Sequence, residues 1–316
     1  MRIGWIGFHM EGLPALRAVL EQGFPLQGVI TLKPDLRAQR SGAADYGSLC
    51  SEYNVPLFEI ADINDAESQS LLKELSLDLA FVIGWTQIVR PEILKLPKIG
   101  MIGAHASLLP HHRGRAPINW ALIKGEKQTG NSLIWLDQKV DAGDIIDQIP
   151  IPVTPYDTCA TIYERVAETN REMILRALRK IRDGECPGRP QPQNGTHNLP
   201  GRKPRDGVLD WSMSSIKVYD FIRALTRPYP GAFSWLDGKR WFIWQCALLP
   251  DTCSTAAIPG QIIGPIYSPI MGACGQVVAC GTGSVALLEL EDEQSQIVTG
   301  RMLSDQPWQG KVWTNE

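Results

Sequence analysis

Across the first half of the chain, short apolar runs alternate with stretches of helical spacing, and this rhythm restricts the fold more than any other feature. Strands are expected at Arg2–Phe8, Leu26–Leu32, Val55–Phe58, Leu79–Ile83 and Gly100–Ala104. Between them, Leu13–Glu21, Tyr46–Glu52 and Ser68–Leu75 carry helical spacing, and Pro91 starts a short helix. Strand–helix repetition of this kind calls for a mostly parallel sheet covered on both faces. Ligands of such sheets sit at the carboxyl ends of the strands. A helix at Pro117–Ile123, strands at Ser132–Leu136 and Asp144–Ile151, and a long amphipathic helix at Cys159–Arg182 follow.

The rhythm then changes. Residues 184–207 are rich in Pro, Gly, Asn and basic side chains and read as a linker. Asn194-Gly195-Thr196 inside it fits a glycosylation sequon, which is coincidence in a cytosolic chain. Beyond it come one helix, Ser212–Leu225, and short strands at 232–236, 240–249, 260–263, 276–279 and 284–289, the pattern of a small β-barrel. The expected domains are 1–185, a Rossmann-like catalytic domain, then a linker at 186–207, then a barrel at 208–316.

Composition removes several function classes. With 316 residues, 44% apolar and 21% charged, the chain is an ordinary globular protein of about two domains. A net charge of -3 gives no overall basic field for nucleic acid. No apolar run approaches the roughly 18 residues of a spanning helix, and Met1–Gly7 lacks the apolar core of a signal peptide, so the cytoplasm is the expected compartment and no membrane partner is expected. The seven cysteines contain no C-x-x-C pair and are odd in number, as expected of buried thiols in a reducing compartment. His111-His112 have no cysteine or carboxylate at ligand spacing, so no metal is expected.

The chemistry concentrates between Gly100 and Gln148. A strand ends at His105, a polar loop Ser107-Leu-Leu-Pro-His-His-Arg113-Gly-Arg115 follows, and Asp141 lies in a second loop, Val140-Asp-Ala-Gly-Asp144. A carboxylate beside an imidazole fixes its tautomer and favours its charged form, which prepares a proton carrier near neutral pH. Alone, a His–Asp pair is more often an ordinary hydrogen bond, and an Arg-Gly-Arg sequence a solvated turn.

The whole string is more specific. His105-Ala-Ser107-Leu-Leu-Pro110-His-His-Arg113-Gly114 and Asp141-Ala-Gly-Asp144 resemble the H-x-S-L-L-P-x-x-R-G and D-x-G-D motifs of folate-dependent formyltransferases. Arg205–Trp211 and Arg223–Phe233 resemble the start of that family's C-terminal domain, so the likeness covers nearly the whole chain. It implies a Rossmann-like α/β N-terminal domain, an OB-like barrel, and N10-formyltetrahydrofolate as formyl donor. It further implies His105 and Asp141 as the catalytic pair. The folate pocket would be formed by Gly84, Trp85, Thr86, Gln87 and Ile88 with Val140 and Asp144, and Ser107, Arg113 and Arg115 would contact substrate. Trp85 is equally readable as a core residue.

One position departs from the pattern. Transferases of this family carry an asparagine two residues before the histidine, which donates to the formyl oxygen; here Gly103 stands there. Losing such a donor costs roughly 10²–10³ in rate in comparable oxyanion sites. Three readings are open. The chain is a weakened or inactive relative; another donor such as Asn119, water or protonated His105 replaces the amide, the glycine leaving room for water or a substrate group; or the reaction is hydrolysis, as in the hydrolase domain of formyltetrahydrofolate dehydrogenase, which also lacks the asparagine. The acceptor implied is a primary amine. The basic insertion of methionyl-tRNA formyltransferases after the second strand is missing, because Thr31–Arg40 runs straight into Gly42–Ser48. Tyr46-Gly47-Ser48 and Asp210-Trp211 resemble the amino-sugar branch, such as the domain acting on UDP-4-amino-4-deoxy-arabinose. A nucleotide-linked amino sugar is therefore the expected acceptor. Methionyl-tRNA and water are the alternatives, a homodimer is allowed, and a non-catalytic folate or sugar-nucleotide binder is the reading from another class.

Overall fold

The structure, a computed structural model, describes residues 1–192, 198–250, 257–268 and 273–316, so the sequon at 194–196 lies outside the described residues. Its first sheet contains β1 (Ile3–Ile6), β2 (Leu26–Leu32), β3 (Leu57–Ile60), β4 (Leu79–Val82), β5 (Gly100–His105), β6 (Gln128–Trp135) and β7 (Ile145–Pro152). The spatial order is β3-β2-β1-β4-β5-β6-β7. Strands β3 to β5 in that order are parallel, and β6 and β7 add antiparallel at the edge.

The central strands are apolar on both sides because both sheet faces are covered. Trp5, Val29 and Phe81 enter one core with Leu16 and with Ile174 and Leu178 of the helix Cys159–Arg182. Their neighbours Ile6, Ile30, Ala80 and Val82 enter the opposite core with Leu72, Ile93 and Met101. Trp5 and Phe81 are fully buried and their rings lie 5.7 Å apart. The order of strand addition reverses at β1, since β2 and β3 are added on one side of it and β4 and β5 on the other. This places the ligand crevice of such sheets at the carboxyl ends of β1 and β4.

The second sheet contains β8 (Ala232–Leu236), β9 (Lys239–Leu248), β10 (Ile262–Ile266), β11 (Gly275–Ala279), β12 (Ser284–Asp292) and β13 (Ile297–Thr299). Its order is β10-β11-β12-β9-β8, with β13 on β12, and all pairings are antiparallel. No strand pairing among the described residues closes this sheet into the expected barrel. The C-terminal tail lies along its edges instead, bridging Thr314 to Trp235 of β8 and Val312 to Gln261 beside β10. The tail's Trp313 and the neighbouring Trp308 pack with Trp211 and Trp241, which anchors it.

The compact units do not follow the expected linear boundary. The first comprises residues 1–117, 128–152 and 162–201; the second comprises 118–127, 153–161 and 202–316. In the second, Asn119 donates to the Ala224 carbonyl at 2.6 Å, and buried Arg223 pairs with Asp220 while donating to the carbonyls of Thr154 and Asp157. The expected linker is also structured where it is described. Arg189 exchanges backbone hydrogen bonds with Ile145, and Leu199 with Arg113 and Arg115. Low apolar periodicity concealed this, because the segment is held by polar and backbone bonds.

Cys50, Cys159, Cys274 and Cys280 are buried, as expected; Cys186 is exposed, and Cys253 lies outside the described residues. Burial pushes the Cys50 thiol up to about 11 and Cys159 and Cys280 up to about 12. Among the described residues, no helix is long and apolar enough to cross a membrane.

Candidate active site

The site belongs to the first unit and starts where β5 ends. His105 is the last residue of β5 and lies opposite Ser132 of β6. The loop after it turns back on itself. Ser107 Oγ donates to the His111 carbonyl at 2.7 Å, and Ser132 Oγ donates to the Ser107 carbonyl at 2.6 Å. Gln148 of β7 donates to Ser132 Oγ and to the Leu109 carbonyl. Ser107 is 1% exposed, so its hydroxyl shapes this loop and does not reach a substrate, contrary to the sequence expectation.

The folded loop presents the His112 carbonyl to His105 Nε2 at 2.8 Å. On the other side of the ring, Nδ1 lies 3.6 Å from Asp141 Oδ1. The ring is thus placed between a main-chain carbonyl on its Nε2 side and a carboxylate on its Nδ1 side. Sequence reasoning paired these two residues, and the structure brings them together across 36 positions. Asp141 Oδ2 accepts a hydrogen bond from the Gly114 amide at 2.9 Å, so the same carboxylate also ties down the histidine loop.

Asp141 has φ +54°, a left-handed conformation that an aspartate tolerates at a cost. Gln191 holds it there. Its side-chain amide donates to the Asp141 carbonyl at 2.9 Å and to the Gly143 carbonyl at 2.7 Å. Its oxygen accepts from Arg113 Nε and from the Arg113 terminal nitrogen at 3.2 and 2.6 Å. One buried amide therefore joins both loops. Arg113 is engaged inside the protein and is not projected toward an anionic substrate, while Arg115 is exposed. Sequence reasoning missed Gln191 because it lies in the segment read as linker; no spacing or periodicity signals it.

The loop 84–88 follows β4, next to β5 in the sheet. Gly84 has φ +63°, and an added Cβ would sit 2.6 Å from that of His9. Trp85 packs against the second core and meets Phe8 edge-on at 6.0 Å, and its indole N–H is buried with no partner among the described residues. Thr86 and Ile88 are exposed. Gln87 is turned away, since its side chain bonds the Ala61 carbonyl and the Ile63 amide. Its role is to fasten the loop. In the other loop, Val140 and Asp144 are exposed, and the Asp144 carbonyl accepts from the Trp135 amide.

Gly103 does not leave open space. A Cβ there would lie 2.5 Å from Leu136 Cδ2 and 3.2 Å from its Cγ. Leu136 packs with Leu109, Ile134 and Ile145 and occupies the volume an asparagine side chain would enter. Asn119 is no substitute donor, because its NH₂ group is bonded to Ala224 within the second unit.

Residues 21–178 match the family model for formyl transferases, and residues 202–306 match that for the formyl transferase C-terminal domain. The chain belongs to the folate-dependent formyltransferase family. It is 32% identical to methionyl-tRNA formyltransferase of Pelotomaculum thermopropionicum over 92% of this chain and 91% of that one. In fold it is similar to HypX of Aquifex aeolicus solved with tetrahydrofolic acid, at a TM-score of 0.64 and 18% identity, with 96% of this chain covered but only 48% of the HypX chain, so it spans about half the length of that protein. It is similar also to the N-formyltransferase of Helicobacter canadensis solved with folinic acid and dTDP-3-aminofucose, at a TM-score of 0.65 and 16% identity over 90% and 98% of the two chains. The protein is a formyltransferase whose one-carbon donor is N10-formyltetrahydrofolate.

Two outcomes follow from this geometry. Gly103→Asn overpacks the Leu136 pocket and is expected to lose about 1–3 kcal/mol of stability together with activity. Combining it with Leu136→Ala should recover at least half of that stability in denaturant unfolding; no recovery would show that Leu136 is not the obstacle. Gln191→Ala leaves the Asp141 and Gly143 carbonyls and Arg113 without their partner. Steady-state kinetics should show kcat lowered about tenfold or more, equivalent to about 1.4 kcal/mol in the barrier, with unchanged circular dichroism.

Proposed function

We propose that the formyl acceptor is a primary amine on a nucleotide-linked sugar, and that His105 and Asp141 carry the transfer. The amine attacks the formyl carbon as the neutral base. His105 takes or relays its proton, and Asp141 orients the ring and balances its charge. The folate lies against the loops 84–88 and 140–144, and the second sheet is read as an OB-like module.

The observation that carries the acceptor reading is the segment between β2 and the helix Gly47–Glu52. It is short and fastened to the end of β1, with Met10 N donating to the Gly42 carbonyl at 2.8 Å and Ala44 N to the Phe8 carbonyl at 2.9 Å. Residues 31–48 hold three cations, Lys33, Arg37 and Arg40, against Asp35 and Asp45. Arg37 is turned toward Glu59 at 3.8 Å. Binding to a nucleic acid backbone draws on many unpaired cations, and this segment supplies few. The fold shared with an N-formyltransferase crystallised with dTDP-3-aminofucose supports the same reading. The similarity to methionyl-tRNA formyltransferase favours tRNA as the second reading.

His105→Ala and Asp141→Asn should each lower kcat by orders of magnitude with the fold intact, and the double variant should be little worse than the poorer single, since groups acting as a unit are not additive. Additive losses, or near-normal turnover in His105→Ala, would sink the pairing. The acceptor is tested by supplying N10-formyltetrahydrofolate with an amino-sugar nucleotide, with charged initiator tRNA, or with neither. Formylated sugar is expected. Efficient formylation of the tRNA would establish the second reading, and equal formyl release without any amine would establish hydrolysis.

A further inference from the structure

Outside the His105 site, one other cluster of titratable groups is buried at the carboxyl edge of the parallel sheet. His9 and Glu11 follow β1, the strand at which the sheet's chain order reverses. Their side chains are 11% and 14% exposed. Their closest approach, His9 Nδ1 to Glu11 Oε2, is 3.8 Å, too long for a hydrogen bond. Among the described residues no lysine or arginine pairs with the Glu11 carboxylate. Removing a carboxylate from water without a donor is costly, and such groups are ordinarily paired.

The pair is nonetheless held firmly. Tyr46 Oη donates to the His9 carbonyl at 2.9 Å, and the Glu11 amide donates to His9 Nδ1 at 3.4 Å. Asn170 Nδ2 donates to the Glu11 carbonyl at 3.2 Å, and Asn131 Nδ2 donates to Asn170 Oδ1 at 2.6 Å. Asn131 adjoins Ser132, the residue opposite His105. A polar seam through the buried Asn131 and Asn170 thus runs from the neighbouring strand of the catalytic histidine to the Glu11 main chain. Two glycines with positive φ make room: a Cβ on Gly42 would lie 2.0 Å from His9 Nε2, and one on Gly84 would lie 3.2 Å from Glu11 Oε1. Gly84 opens the loop assigned to the folate, so the pair touches that loop directly.

Strand register gives the spacing. Ile6, Val82 and Gly103 lie side by side on β1, β4 and β5. Neighbouring strands are about 4.8 Å apart, so the strand leading to His9 runs about 10 Å from the strand leading to His105. That is a distance one sugar ring and its amine can bridge.

We propose that Glu11, backed by His9, binds hydroxyl groups of the acceptor's sugar ring and positions its amine toward His105. This rests on the amino-sugar reading above. A buried carboxylate repels phosphate and the carboxylates of a folate tail, and it offers nothing to an apolar methionyl side chain. It accepts strongly from hydroxyl donors. The subsite therefore takes the neutral polyol part of the acceptor.

The test compares the wild-type enzyme with Glu11→Gln and Glu11→Ala, using UDP-4-amino-4-deoxy-arabinose and dTDP-3-aminofucose as acceptors. Glu11→Ala should raise the acceptor KM about tenfold or more, a loss of one good polar contact, and Glu11→Gln should raise it less because it keeps one acceptor oxygen. The affinity for 5-formyltetrahydrofolate should stay within about twofold. Tm of Glu11→Gln should match that of the wild type, since the amide keeps the volume of the side chain; a structural glutamate would give a lower Tm. If the wild type formylates either sugar and Glu11→Ala leaves its KM unchanged, the subsite is wrong and the acceptor class stands. If the wild type formylates neither, the amino-sugar reading falls and this assignment falls with it.

Discussion

The site depends on a left-handed aspartate. Asp141 can face His105 only because its backbone turns through φ +54°, and that turn is fixed from both ends. Gln191 bonds the carbonyls of Asp141 and Gly143, and the Gly114 amide bonds its carboxylate. Gln191 also grips Arg113. Two loops and the strap 186–192 consequently form one hydrogen-bonded body around the histidine. Local strain of this kind persists only where the surroundings over-determine it. The four bonds to one buried amide side chain supply that determination.

The floor of the site follows a different principle. Gly103 and Leu136 replace a projecting amide with an aliphatic group that closes against Leu109, Ile134 and Ile145. The apolar fill stiffens β5 behind His105 and leaves polar contact with the reacting group to the imidazole and to main-chain groups. Two walls of the crevice are thereby set apart chemically. The β5 side carries the His105–Asp141 pair over this apolar fill. The β1 side keeps His9 and Glu11 on a buried polar seam through Asn170 and Asn131.

The sequence alone determined the repeating strand–helix order, the parallel sheet with two apolar faces, and the motif strings that hold His105 and Asp141. These are written in local periodicity and in an uninterrupted motif, and side chains that alternate or repeat along a strand or helix express them without help from distant residues. What tertiary structure decided lies where the chain has no period. Ser107, Arg113 and Gln87 read as ligand-facing groups, but Ser107 is turned to the His111 carbonyl of its own loop, and Arg113 and Gln87 to groups far along the chain. Gln191 reads as linker, yet it holds the site together. The open space expected beside Gly103 is filled by Leu136, 33 positions on. The second sheet, expected to close, leaves its edges to a C-terminal tail pinned by tryptophans. Hydrogen bonds and packing between residues remote in sequence fix all of these, and such partners are chosen by three-dimensional proximity, which no local pattern of residues encodes.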